Sequence, residues 1–151
     1  MIAPSTALYT TAQTRALDAW AIATTAVCGF ELMQRAAAAA LAVLRRRWPQ
    51  ARCVTVLCGP GNNGGDGFLL AAMACRQGMQ VEVLTLGDAS GGDAGKARQA
   101  CVEAGVVPRL ADAVDTLPSA DVYVDALFGS GLSRAPGGHA ARLINALNTA
   151  T

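Results

Sequence analysis

The residues of this chain that most clearly point to chemistry stand in one glycine-rich segment, 59–67. The segment reads Gly-Pro-Gly-Asn-Asn-Gly-Gly-Asp-Gly and follows the apolar, β-branched run 53–58, which is typical of a strand buried on both faces. Gly59, Gly61 and Gly64 satisfy the spacing G-x-G-x-x-G, in which backbone amides and a helix N-terminus approach a pyrophosphate. Because this spacing alone is a weak signal, a glycine-rich turn without a ligand stays open as the alternative.

Polar side chains inside this segment make an ordinary dehydrogenase loop a poorer explanation. Asn62, Asn63 and Asp66 place amide and carboxylate oxygens in the turn, and a carboxylate repels a phosphate unless it is directed to ribose hydroxyls, amides or a cation. Asp125 ends another predicted strand, so it and Asn63 can flank the point of a doubly wound sheet where ligands bind. This set of oxygens suits a hard cation of low charge. The alternative for Asp125 is a helix or loop cap.

A second glycine loop, 129–135, also follows a predicted buried strand. Its backbone amides, the hydroxyls of Ser130 and Ser133, and the guanidinium of Arg134 can hold a phosphate or a ribose. The alternative is an arginine on an ordinary surface loop.

The elements that must position these loops follow from the hydrophobic pattern. Thr10 and Gln13 predict a capping box at the start of a first helix, whose apolar stripe contains Leu17 and Trp20. A second helix is predicted over 31–47, with a buried face made of residues at helical spacing. These are Met33, Ala36, Ala37, Ala40 and Leu44. Trp20 and Trp48 are interpreted as helix anchors.

From residue 53 onward, predicted strands and helices alternate. The strands are 53–58, 81–86, 106–110 and 121–127, and the helices are 66–77, 93–104 and 138–148. This alternation predicts one α/β domain over 1–151, a three-layer α/β/α Rossmann-like fold with a mostly parallel sheet.

Composition excludes several classes of function. The chain is 52% hydrophobic and 15% charged, and its 12 basic and 11 acidic residues leave a net charge of +1. We therefore expect neither a nucleic acid nor a membrane as partner. The five dispersed cysteines indicate reduced thiols, and no secretory signal is evident, so we expect a cytoplasmic protein. With His139 and Lys96 away from both loops and Cys58 interpreted as strand packing, acid–base chemistry must fall to carboxylates or ribose-bound water.

Two segments together carry a resemblance to a known family. Residues 61–67, Gly-Asn-Asn-Gly-Gly-Asp-Gly, and residues 125–132, Asp-Ala-Leu-Phe-Gly-Ser-Gly-Leu, closely resemble the YjeF N-terminal domain, the NAD(P)H-hydrate epimerases. Gln13-x-Arg15-x-x-Asp18 and Leu32-Met33-x-Arg35-Ala36 are similar to that family's opening helices. The resemblance covers nearly the whole chain. It implies epimerisation of the R and S forms of hydrated NADH and NADPH, so that a fused or separate ADP/ATP-dependent dehydratase can restore the cofactor.

The resemblance also implies site residues and a homo-oligomer. Asn63 and Asp125 would bind a potassium ion. The substrate would contact residues of both loops: Asn62, Asn63, Gly64, Gly65, Asp66, Gly129, Ser130, Gly131, Leu132, Ser133, Arg134 and Ala135.

Some positions depart from the family's pattern. Ala37 stands where the family usually has Gly, and Ser130 replaces a common Thr. Family members continue into a strand with an Asp-x-Pro-Ser-Gly motif, whose Asp is the expected catalytic group. We therefore expect a domain truncated at its C-terminal end, with its last strands missing, the catalytic Asp beyond Thr151, and no activity of these 151 residues alone. Two alternatives remain, a non-catalytic scaffold of the same fold (as in the enhancer-of-decapping family) and a nicotinamide-dependent dehydrogenase.

Overall fold

The structure of the chain is a computed structural model that describes residues 8–89, 91–111 and 116–150. In chain order the elements are α1 (Thr11–Thr24), α2 (Gly29–Arg47), β1 (Cys53–Cys58), α3 (Asn62–Arg76), β2 (Gln80–Thr85), α4 (Gly92–Glu103), β3 (Arg109–Leu110), β4 (Val122–Ala126) and α5 (Gly138–Thr149). The strands form one sheet in the order β3-β2-β1-β4, and every neighbouring pair is parallel. The predicted α/β fold with a parallel sheet is confirmed.

Two apolar clusters, one on each face of the sheet, hold the layers together. Val54 and Val56 of β1 point into the larger cluster with α2, α3 and α4. Leu57, the next residue along β1, belongs to the smaller cluster, where it meets Leu143 of α5. Because successive strand residues point to opposite faces, a strand covered on both sides must be largely apolar on both, as β1 is, with Thr55 as its one polar residue.

The second helix buries three of the five residues predicted for its core face, together with Leu41, which was not predicted. Met33, Ala37, Leu41 and Leu44 are buried at spacings of four, four and three residues, whereas Ala36 and Ala40 are exposed, so their prediction as core was wrong. An uninterrupted alanine run gives no periodicity of its own. The side chains that decide the buried face are therefore the long ones on either side of it.

The first helix begins as predicted but is not covered as predicted. Thr10 and Gln13 form the capping box, with the Gln13 amide donating to the Thr10 hydroxyl at 3.3 Å and the Thr10 amide donating to Gln13 at 2.9 Å. No α1 residue is buried, and Leu17 and Trp20 are 47% and 62% exposed. The anchoring roles predicted for Trp20 and Trp48 were therefore wrong. A sequence pattern shows that a helix has an apolar face, not what lies against it.

The third strand is also shorter than predicted. The third strand pairs only over Arg109–Leu110 rather than 106–110, and β4 is an edge of the sheet formed by the described residues. Within the described ranges, no helix has both the length and the apolar character needed to cross a bilayer.

Candidate functional site

The order of the strands creates a crevice between β1 and β4. The chain leaves β1 for β2 on one side, whereas β4 pairs with β1 on the other side, in parallel register up to Cys58 opposite Ala126. In open α/β sheets, ligands bind at such a reversal, outside the carboxyl ends of the strands. Both glycine-rich segments start there, as the sequence predicts.

A cavity of about 680 Å³ fills this crevice, within the range for small-molecule sites. It is lined from three directions: the end of β1 and first turns of α3, the segment after β4, and α1. The lining residues are Pro60, Gly61, Asn62, Asn63 and Asp66, then Leu127, Phe128, Gly129, Ser130, Gly131, Leu132, Ser133 and Arg134, and finally Arg15. Of the predicted substrate contacts, Gly64, Gly65 and Ala135 are not among them.

The first segment is part of a helix, not a loop. Helix α3 begins at Asn62 rather than at 66, so the prediction of a loop through Gly65 was wrong. Gly61 is its N-cap, and the first helical hydrogen bond runs from the Gly65 amide to the Gly61 carbonyl. The amides of residues 62–64 precede that bond and are available to an anion, which the helix dipole also attracts.

The glycines of this segment have different roles. A Cβ on Gly59 would stand 1.8 Å from the carbonyl oxygen of Leu127, and one on Gly64 would stand 1.8 Å from that of Gly59. No other part of the protein lies within 4 Å of the position that a Cβ on Gly61 would take. Only Gly61 therefore leaves space for the approach of a pyrophosphate, whereas Gly59 and Gly64 allow the backbone to pack on itself in the tight turn.

Gly65 and Gly67 serve helix packing. A Cβ on Gly65 would approach the Met33 sulfur of α2 to 2.7 Å, and one on Gly67 would approach the Ala126 side chain of β4 to 2.6 Å. Glycine lets α3 lie against its neighbours, which fixes the cavity wall.

Asn63 joins the two glycine segments. Its side-chain Nδ2 donates to the Phe128 carbonyl at 3.1 Å, which leaves Oδ1 as an acceptor. Asp125 is exposed, and its Oδ1 accepts the Leu127 amide at 3.0 Å. The cap considered as the alternative for Asp125 is thus present, and it occupies one carboxylate oxygen. The second carboxylate oxygen and Asn63 Oδ1 are hard donors of the kind that alkali cations prefer.

Asp66 is the half-buried carboxyl of the cavity wall. Burial, and secondarily the negative charge of Asp18 on α1, raises the pKa of Asp66 from 3.8 to about 6. A carboxyl with that pKa exchanges protons readily near neutral pH. The sequence pointed to Asp66 as a substrate contact, and the structure adds this acid–base property.

Arg15 is a site residue that sequence reasoning missed, and Asp18 acts on the site only through its charge near Asp66. Arg15 lines the cavity and its Nη2 donates to the carbonyl of Ser130, 115 residues away, at 2.9 Å. The spacing of Arg15 and Asp18, three residues apart, puts both on one face of α1. That shared face alone does not identify a site, because the contact that holds Arg15 at the cavity lies 115 residues away.

The other chemical candidates lie outside the cavity. Cys58 is buried in the strand, and burial raises the pKa of its thiol far above neutrality, which confirms the interpretation as packing. Lys96 pairs with Asp93 at 2.8 Å on α4, and His139 is exposed in the first turn of α5.

Known proteins resemble this chain along nearly its whole length. A family model described as YjeF-related protein N-terminus matches residues 29–151. The bifunctional NAD(P)H-hydrate repair enzyme of Coxiella burnetii is 43% identical over 150 residues, covering 96% of this chain and 30% of the relative. The NAD(P)H-hydrate epimerase of Rhodobacter capsulatus is 40% identical over 138 residues, covering 85% of this chain and 65% of the relative. This chain thus spans less than two thirds of the length of both relatives.

A solved structure shares the fold. The crystal structure of the yeast protein YNL200c matches with a TM-score of 0.75 and 18% sequence identity, covering 95% of this chain and 67% of that one.

Proposed function

This chain belongs to the YjeF-related N-terminal family, and from that premise we propose that its cavity binds hydrated NADH and NADPH and interconverts their R and S epimers. The observation that carries the proposal is the position of the cavity, at the β1–β4 crevice between the two segments of family resemblance. The relatives from C. burnetii and R. capsulatus, whose names state NAD(P)H-hydrate repair and epimerisation, support it.

In this proposal the two glycine segments bind different parts of the dinucleotide. The free amides at the start of α3 receive the pyrophosphate, because they combine unpaired N–H groups with the positive end of the helix dipole. Ser130, Ser133 and Arg134 of the second loop hold ribose or phosphate oxygens. Gly64 contributes one of those amides, and Gly64 and Gly65 also shape the wall that carries them.

The reaction requires the hydroxyl beside the ring nitrogen to leave and return on the opposite face. A carboxylic acid protonates the hydroxyl, which departs as water while the nitrogen lone pair stabilises the cation. Water then adds to the other face and the carboxylate takes back the proton. We assign this transfer to Asp66, whose pKa of about 6 suits both directions. A carboxyl downstream, as the family's pattern implies, is the alternative.

The proposal includes a partner enzyme. A dehydratase, fused or separate, would consume one epimer, and the bifunctional name of the C. burnetii relative agrees with such a partner.

The proposal also includes a cytoplasmic setting. This setting fits the cysteines, since all five are free thiols: Cys28, Cys53, Cys58, Cys75 and Cys101.

The function can be tested by blocking the cavity at the one open glycine. Gly61→Trp should fold normally, because nothing lies within 4 Å of its Cβ position and its backbone is extended. The indole would fill the space in front of the α3 amides and lower the rate of epimer interconversion at least about tenfold. Chromatography that separates the two hydrate epimers measures the rate of interconversion in the native-length protein, that is, the complete polypeptide. Gly61→Ala serves as the control. Unchanged interconversion by Gly61→Trp would place the reaction elsewhere.

We propose that Asn63 and Asp125 bind potassium beside the dinucleotide. Asp125→Asn removes the charge but keeps an oxygen that can accept the Leu127 amide, so it tests the cation rather than the cap. The wild type should melt at a higher temperature in potassium chloride than in sodium chloride, since a ligand at about 100 times its dissociation constant adds about 2.7 kcal/mol. Asp125→Asn should lose most of this difference. Equal melting of the wild type in both salts would contradict the site.

A further inference from the structure

Helix α1 has few attachments to the rest of the described chain. None of its residues is buried, and Trp20 is 62% exposed. Its C-terminal part approaches α2 where Ile22 faces Gly29. Its only hydrogen bond to another element among the described residues is that of Arg15 to Ser130. The attachment of α1 beside the cavity therefore depends heavily on one arginine.

Arg15 has donor capacity beyond this bond. The guanidinium carries five N–H groups, of which the bond to the Ser130 carbonyl uses one. Its Nη2 lies 3.7 Å from where a Cβ on Gly131 would be, so the group rests against the backbone of the second loop. Within residues 8–89, 91–111 and 116–150, no carboxylate lies within ion-pair distance of Arg15.

The charged side chains that line the cavity suit a ligand that carries phosphate. Arg15 and Arg134 are the positive side chains among the described lining residues, and Asp66 is the negative one. A dinucleotide brings a pyrophosphate, and the NADPH form adds a further phosphate. An arginine fork binds two phosphate oxygens at once, and a carbonyl bond on its other edge holds the fork in place.

We propose that Arg15 is a phosphate-binding and positioning residue that links α1, the second glycine loop and the dinucleotide. This inference rests on the proposed function for the identity of the ligand, although the phosphate contact itself requires only a pyrophosphate-bearing nucleotide. Binding of that phosphate adds a second contact to the guanidinium that already bonds to Ser130, so the ligand further restrains α1 beside the cavity.

Three substitutions of Arg15 separate the effects of its charge, its hydrogen bond to Ser130 and its forked shape. Arg15→Ala removes all of them, Arg15→Lys keeps the charge without the fork, and Arg15→Gln keeps a donor for Ser130 without the charge. Arg142→Ala is the matched control, because Arg142 is exposed on α5 and lies outside the cavity lining. Each variant of the native-length protein is titrated by calorimetry with NADPH hydrate and, separately, with ADP-ribose, which carries the pyrophosphate but no nicotinamide. Denaturation midpoints check the fold.

Arg15→Ala should raise the dissociation constant for both ligands about tenfold, and raise KM while kcat changes less than about twofold. The loss should shrink at high salt, Arg15→Lys should recover part of it, and Arg15→Gln should behave like alanine. Unaltered binding by Arg15→Ala, or full recovery by Arg15→Gln, would overturn the phosphate contact. If the wild type binds ADP-ribose through Arg15 but does not convert the hydrate, the proposed function fails and this inference stands.

Discussion

Gly64→Ala is expected to destabilise the fold by about 3 kcal/mol or more, although a single methyl group is added. That methyl carbon would lie 1.8 Å from the carbonyl oxygen of Gly59, which is backbone and cannot rotate away. Gly64 is buried at the start of α3, so the strain must be relieved by moving either the helix or the end of β1. The resulting shift would also displace the amides that face the cavity.

Urea unfolding followed by circular dichroism measures this effect, and Gly61→Ala is its control. Gly61 belongs to the same segment, but nothing lies within 4 Å of its Cβ position, so its free energy of unfolding should change by less than about 1 kcal/mol. Equal stability of the two variants would contradict the backbone packing on which the cavity wall depends.

Asp66→Asn is expected to stabilise the protein at pH 8 by about 2 kcal/mol, which is less than the full pKa shift would give because water screens the half-exposed carboxyl, while abolishing most of its activity. The carboxyl has a pKa of about 6 in the folded state against 3.8 as its ordinary value, so folding favours its protonated form. Its favourable contribution is complete below pH 3.8 and is lost as the pH rises through 6. Above that pH the folded protein holds a half-buried charge that asparagine lacks.

The pH dependence separates this cause from an ordinary packing gain. The stability difference between Asp66→Asn and the wild type should be largest above pH 7 and should disappear near pH 4. Asp18→Asn, which removes the secondary cause of the shift, should give a smaller gain over the same range. A difference that does not vary with pH would refute the raised pKa. A stabilised Asp66→Asn that retains full activity would move the proton transfer to another group.

The hydrophobic pattern predicted the sheet well, because a buried parallel strand is apolar on both faces and β1 shows this pattern at every position except Thr55. It failed at the start of α3, where three glycines in six residues are typical of a loop. Glycine has a low helix propensity, but here the lack of a Cβ lets α3 pack against Met33 and Ala126, and that tertiary contact outweighs the local preference.

The candidate site was predictable only where it is local in sequence. Asn63 and Asp66 stand out in their own segment, and parallel strands bring Asp125 to the same edge. The contact of Arg15 with Ser130 spans 115 residues and leaves no periodic pattern, since one long side chain makes it. The exposure of Leu17 could not be foreseen either, because hydrophobic spacing does not reveal whether a partner surface is present.

The central claim is that the cavity between the two glycine segments converts one hydrate epimer into the other. A single purified epimer of NADPH hydrate is incubated with the native-length protein in potassium buffer and followed by proton NMR. The account predicts that the second epimer appears until the mixture reaches equilibrium, much faster than in protein-free solution, without oxidation or reduction of the ring. It is contradicted if the hydrate binds but the epimer ratio changes only at the protein-free rate.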